Sequence, residues 1–210
     1  MHHNRRALLQ YGVAALAAVP MAHAAPVVPT RAANLTLLQS SMAKGRFVTY
    51  QPTGIHAING KLTQASDENI RDDLRVLRPH FDSLITYGAQ GGAERIADIA
   101  SGLGFRAVVM GVWDFYNKAE LTNAIAAAKR MPHIVAGLSL GNEMILSRRA
   151  AWGDLEHMLG QVRAELPAVP LTVTEAFTEF LNHADAKPVL AQLDFLIDRN
   201  RVEYGKGVDL

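Results

Sequence analysis

The chain has 210 residues, a formal charge of +1, 49% apolar and 20% charged residues, and no cysteine. This composition supports an ordinary globular core, and the near-zero charge removes the electrostatic drive toward nucleic acid or an anionic membrane surface. The lack of cysteine excludes disulfides, a thiolate nucleophile and thiolate metal ligands.

The N-terminus has a three-part layout. Arg5 and Arg6 are followed by the apolar run Leu8–Val19 and then by Ala22-His23-Ala24, a small-x-small cleavage pattern. That is the layout of an export signal over residues 1–24. The alternative is an N-terminal anchor, but the run falls short of the roughly 20 residues of a stable span. Asn4-Arg5-Arg6-Ala7-Leu8-Leu9-Gln10 loosely resembles a twin-arginine signal. The expected location is periplasmic or extracellular. Removing residues 1–24 takes away two arginines and no acid, which turns the charge of +1 into −1. Residues 25–45, with Pro26 and Pro29, read as a linker or N-terminal arm.

From residue 46 the hydrophobic period alternates between strand and helix. Arg46–Gln51 reads as a strand closed by Pro52 and Gly54. Ser66 opens a helix carrying Ile70, Leu74 and Leu77, which Pro79 ends. Ser83–Tyr87 is a second strand, Ala93–Ser101 a helix, and Arg106–Trp113 a third strand. Lys118–Arg130 is an alanine-rich helix. Ile134–Leu140 is a fourth strand running into Gly141-Asn142-Glu143, and Trp152–Leu166 is a helix. Pro170–Thr174 is a fifth strand ending at Glu175, Lys187–Gln192 a short helix, and Leu193–Ile197 a sixth strand. Residues 198–210 form an atypical polar tail with no further βα pattern.

Strands alternating with helices of this length predict βαβ units and a parallel sheet. A doubly wound open sheet and a closed barrel both fit that pattern. No strand leads into a dinucleotide fingerprint, and Gly88-x-x-Gly91-Gly92 reads as a plain turn rather than a phosphate cradle. Polar and aromatic residues gather instead at successive strand ends: Tyr50, Tyr87, Trp113, Asn142 with Glu143, and Glu175. A (β/α)8 TIM barrel builds its active site on that rim, so the barrel fits better, with about six of the eight βα units present.

Glu143 stands where a strand delivers a carboxyl to the rim, with Asn142 beside it to offer amide hydrogen bonds. Glycoside cleavage uses a carboxylic acid that protonates the departing oxygen and, in retaining enzymes, a second carboxylate about 5–5.5 Å away. A glutamate at a strand end also serves as a plain loop salt bridge. Glu175 reads as a sugar contact, as a partner tuning Glu143, or as a hydrogen-bonded structural carboxylate. Tyr50, Tyr87 and Trp113 read as stacking platforms for pyranose faces or as lids on the core, and Trp152 as packing. No histidine pair has metal-ligand spacing, no nucleophile elbow occurs, and Arg148-Arg149 reads as solvated charge.

Several segments together resemble one family. They are Phe47-Val48-Thr49-Tyr50, Leu84-Ile85-Thr86-Tyr87-Gly88, Gly111-Val112-Trp113-Asp114, Ile134 to Glu143, Val173-Thr174-Glu175 and Leu193-Asp194-Phe195-Leu196. In this order they resemble glycoside hydrolase family 17, the β-1,3-glucanases, over residues 46–197. Ile85 stands where that family often has arginine.

The resemblance implies that Glu143 is the general acid/base, and that Asn142, Tyr50, Tyr87, Trp113 and Glu175 contact substrate. The substrate implied is a β-glucan, β-1,3-linked, cleaved by a retaining two-carboxylate mechanism without metal or organic cofactor. The family's nucleophile lies in a Gly-Glu-x-Gly-Trp-type segment that this sequence lacks, so the expected activity is impaired and the reading frame is expected to be truncated, split or frameshifted. The rival expectations are a carbohydrate-binding protein without turnover and a β-glucan transferase of the same clan.

Overall fold

A computed structural model describes residues 30–197; the export signal and the tail expected from the sequence lie outside the described residues. Five parallel strands form one sheet in the order β1-β4-β5-β6-β7. They are β1 (Phe47–Tyr50), β4 (Ser83–Thr86), β5 (Ala107–Val112), β6 (Val135–Asn142) and β7 (Leu171–Thr174). A small antiparallel hairpin, β2 (Ala57–Ile58) with β3 (Lys61–Leu62), follows β1. The fold is α/β, parallel and of the barrel type.

Every residue of β5 is buried, as expected of a strand covered on both faces. Its side chains alternate between two cores. Val108, Met110 and Val112 join the larger one, under helices α2 (Asp67–Leu77), α3 (Ile96–Gly102), α4 (Lys118–Arg130) and α5 (Trp152–Glu165). These helices start on local signals. Ser66 accepts the N–H of Asn69, and Asn117 accepts the N–H of Glu120. Ile70 with Leu74, and Leu155 with Leu159, then bury one stripe each.

Ala107 and Val109 face the other way, into a second core with Ile85, Ala136 and Ile197. The element that covers them is α1 (Arg31–Lys44), capped by Thr30. Within the stretch 25–45, expected as a linker or N-terminal arm, Arg31–Lys44 thus forms a helix packed on the sheet. Asn34, Leu38 and Ser41 are its buried positions, and only one of these is apolar, so the helix carries no amphipathic signal. Leu38 is wedged among the sheet residues of the second core, the Asn34 amide donates to Ala168 O at 2.8 Å, and Arg31 pairs with Asp194.

The expected sixth strand is reduced to a single parallel bridge, Thr174 with Ile197. Side chains supplement the backbone there, where Asp194 N donates to Leu171 O at 2.9 Å. Asp194 accepts from Leu171 N and from Arg163, and the Thr172 hydroxyl donates to Phe195 O. Two short helices, α6 (Phe177–Asn182) and α7 (Ala186–Leu190), fill the connection from β7.

Candidate active site

The C-terminal strand ends converge on a rim, and two features share it: a cleft with aromatic walls and the turn that carries Glu143.

The β6–β7 register sets the turn. Ser139 pairs with Thr172 and Asn142 with Thr174, so β6 spends three steps where β7 spends two. The extra residue makes a bulge, a device that re-aims side chains beside sites. Gly141 lies at φ +88° and Glu143 at φ +51°. A left-handed backbone costs a side-chain-bearing residue roughly 1–2 kcal/mol, so the surroundings must hold it there. Glu143 N donates to Thr174 O at 2.7 Å, and Glu143 O accepts from Ser147 N at 3.0 Å and from the Ser147 hydroxyl.

Glu175 supplies the rest. Only 2% exposed, its carboxylate accepts from Ile145 N at 2.9 Å and Leu146 N at 3.3 Å, and the Met144 amide also bonds to it. Burial pushes this carboxyl above the ordinary range, and the three amides pull part of the way back. Of the readings open for Glu175 in the sequence, this geometry is that of the hydrogen-bonded structural carboxylate. Its oxygens are committed to the backbone of the loop that follows Glu143, and it positions that loop.

The cleft has a volume near 380 Å³ and is lined by Gln51, Pro52, Ile55, Tyr87, Gln90 and Trp113 among others, with β2–β3 residues Ala57 and Leu62 on one side. Tyr87 and Trp113 are 42% and 43% exposed, with ring centroids 6.5 Å apart and planes tilted by 52°. Mostly apolar walls with a few amide groups are usual for a small-molecule site of this size.

Tyr50 also lines the cleft but is 5% exposed, with its hydroxyl donating to Asp73 at 2.9 Å. Burial, and then the Asp73 carboxylate, push its phenol far above the usual range. Tyr50 is thus a fixed wall of the cleft, with little of its ring open to solvent. Asp73 also accepts from Thr53, so the loop after β1 is pinned at the same point.

Asn142, Glu143 and Glu175 do not line the cleft. Trp113 links the two features, because its carbonyl accepts Asn142 N at 3.2 Å while its ring faces the cleft. Arg149, expected to be solvated charge, makes the second link. Its guanidinium lies 5.7 Å from the Trp113 ring centroid, donates to Asn142 O at 2.6 Å and to the Ser147 hydroxyl, and stands 3.7 Å from Asp114. This combines a cation over an aromatic face with a carbonyl clamp.

Two residues were passed over in the sequence. Arg149 gave no signal beyond its charge. Glu120 had the spacing of a helix cap, three residues after Asn117. It is fully buried, and its carboxylate accepts from Ala89 N, Trp113 N and Asp114 N. Burial raises it as well, against the pull of those amides. Trp152, by contrast, packs on Phe180 as expected. Gly91 and Gly92 turn the chain at positive φ, as a plain turn does. Among the described residues, no group of three or more His, Asp and Glu side chains is placed to hold a metal, and no helix is long and apolar enough to cross a membrane.

No protein-family profile and no curated protein sequence matches the chain. Solved structures do resemble it. An endo-laminarinase from Formosa Hel1_33_131 superposes with a TM-score of 0.62 at 17% identity, over 73% of this chain and 49% of that one. The glycoside hydrolase family 17 β-1,3-glucanosyltransferase from Rhizomucor miehei superposes with a TM-score of 0.56 at 18% identity, over 71% of this chain and 55% of that one. An active-site mutant of the Rhizomucor enzyme in complex with laminaritriose matches equally well. The likeness shows the fold, and this chain spans about half the length of those proteins.

Proposed function

We propose that the chain acts on a β-glucan, with β-1,3 linkage the leading choice, and that Glu143 is its general acid/base. The observation that carries this reading is the Glu143 turn, a bulged strand end held in a strained backbone by Thr174, Ser147 and Glu175, next to a cleft with two half-exposed aromatic rings. Strain of this kind persists where structure is organised around a task. The aromatic faces suit the C–H faces of pyranose rings, and Gln51 and Gln90 suit their hydroxyls. The solved structures of like fold are a laminarinase and a β-1,3-glucanosyltransferase, which agrees with this substrate class.

In the mechanism we infer, Glu143 protonates the leaving oxygen, a second carboxylate attacks the anomeric carbon, and Glu143 then activates the acceptor. Water as acceptor gives hydrolysis and a sugar gives transfer. Three other rim acids are committed elsewhere: Glu120 and Glu175 to backbone amides, Asp114 to Tyr116 N and the Arg149 pairing. The nucleophile in this reading comes from outside residues 30–197. The same commitment favours a second reading, in which this chain binds glucan without turning it over. In either reading the chain works outside the cytoplasm.

The test uses the full chain and a Glu143→Gln variant with a laminarin-type glucan, measuring new reducing ends and binding in parallel. Turnover that disappears in the variant supports the enzyme. Equal binding without turnover in either supports the binder. Turnover indifferent to the substitution removes Glu143 from the mechanism, and lack of binding as well as turnover removes the substrate class.

A further inference from the structure

We propose that Glu120 is a positioning residue for the aromatic half of the cleft, tying the loops after β4 and β5 together so that Tyr87 and Trp113 face one space. This rests on the reading of the cleft as a sugar site.

The first support is where the carboxylate points. Glu120 is the third residue of α4, with Asn117 as N-cap. A glutamate there ordinarily turns back to the N–H of its own cap. Here the Asn117 N–H goes to Asp114 O at 3.0 Å, and the Glu120 side chain turns away from its helix. Its Oε1 accepts from Trp113 N at 2.8 Å and Ala89 N at 3.1 Å, and its Oε2 from Asp114 N at 3.3 Å. One carboxylate thus joins the backbones of two rim loops.

The second support is cost. Burying a carboxylate without partners is strongly unfavourable, so a fully buried one marks a place where its bonds are needed. The backbone is shaped around it. A Cβ at Gly88 would lie 2.5 Å from Glu120 Oε1. Glycine there lets the chain between Tyr87 and Ala89 pass close to the carboxylate.

The third support is an asymmetry that makes the role testable. The loop after β4 has other ties to α4: Asn123 donates to Ala89 O at 3.0 Å, and Asn117 donates to the Gln90 side chain at 3.1 Å. The Trp113–Asp114 backbone amides depend on Glu120 alone among these α4 side chains. Removing the carboxylate should therefore release Trp113 more than Tyr87.

The experiment reads Trp113 directly. The chain has two tryptophans, and Trp152→Phe makes Trp113 the sole reporter. In that background we compare Glu120→Ala, Glu120→Asp and Glu120→Gln, with Glu165→Ala as a surface control, by Trp emission, acrylamide quenching and laminarioligosaccharide titration. Far-UV circular dichroism checks the fold. The expected result is red-shifted emission and stronger quenching in the Ala and Asp variants, since the shorter Asp cannot span both loops. Oligosaccharide affinity should fall about tenfold in both, as the loop must be ordered on binding. The Gln variant keeps an acceptor for the two shorter bonds and should stay near the parent in both readouts. Unchanged quenching in the Asp variant, or equal losses in Gln and Ala, overturns the proposal. If the parent binds no oligosaccharide, the sugar reading fails while the quenching still judges Glu120.

Discussion

The Glu175 carboxylate accepts the amide N–H of Ile145 at 2.9 Å, two residues past Glu143, from the neighbouring strand end. The loop that follows Glu143, the residue proposed as acid/base, is thus held by another glutamate through the backbone. Glu175→Ala strands the N–H groups of Met144, Ile145 and Leu146, at a cost of about 1–3 kcal/mol. Urea unfolding should show that loss, and no loss would mean the loop holds itself.

Glu143→Gly should separate stability from activity. Glycine tolerates φ +51° without the side-chain clash, so Glu143→Gly should be about 1 kcal/mol more stable to unfolding than Glu143→Ala, both having lost the contacts of the glutamate side chain. Catalysis, where the parent has it, should vanish. Equal stability of the two variants would instead show that the backbone at residue 143 carries no strain.

Acid dependence should split by residue. Burial raises the Glu175 carboxyl in the folded state, so folding favours its protonated form. Its contribution is greatest below the unfolded value, near 4.3, and declines as pH rises through the folded value. The stability of Glu175→Gln relative to the parent should therefore improve between acid and neutral pH. Asp194 has the opposite sign. Burial opposes its charge, but hydrogen bonds from Arg31, Leu171 N and Arg163 outweigh it and hold the carboxyl below the usual range. Its contribution is present above the unfolded value and lost as pH falls through the folded one. Asp194→Asn should cost stability at neutral pH and less in acid. Thermal melts of the three proteins from pH 3 to 8 check both signs.

Leu38→Ala tests whether α1 is part of the core. Leu38 is fully buried among Ile85, Val109 and Ala136, so truncation should cost about 2–5 kcal/mol. A surface-like value below about 0.5 kcal/mol would mean that the helix does not cover the sheet in solution.

The five parallel strands were legible because both faces are covered, which writes them as apolar runs such as Ala107–Val112. Ser66 and Pro79 bracketed α2 for equally local reasons. The misses were elements whose signal lies in partners far along the chain. α1 buries Asn34 and Ser41 along with Leu38, so no apolar stripe appears. The β2–β3 hairpin carries an Asn59-Gly60 turn signal, but its two-residue strands are exposed and show no alternation. Leu193–Ile197 looks like a strand by composition, yet it forms only one bridge and one backbone bond to β7, and Asp194 and Thr172 add side-chain bonds. At the candidate site, the placement of Glu143, Tyr87 and Trp113 just past strand ends was readable. Glu120 was not, since only the fold shows that it turns from its helix to two other loops.

The placement of α1 also sets an order of events. It is the first of the described elements to be made, yet its anchors lie far downstream: Asn34 bonds 134 residues ahead at Ala168, and Arg31 pairs 163 residues ahead with Asp194. Contacts at such separation form late, because the loop entropy must be spent before they repay it. The second core, which runs from Leu38 through Ile85, Val109 and Ala136 to Ile197, is therefore complete only when nearly the whole described chain is in place, and until then its open apolar part is where a growing chain is prone to aggregate or to be captured by a chaperone.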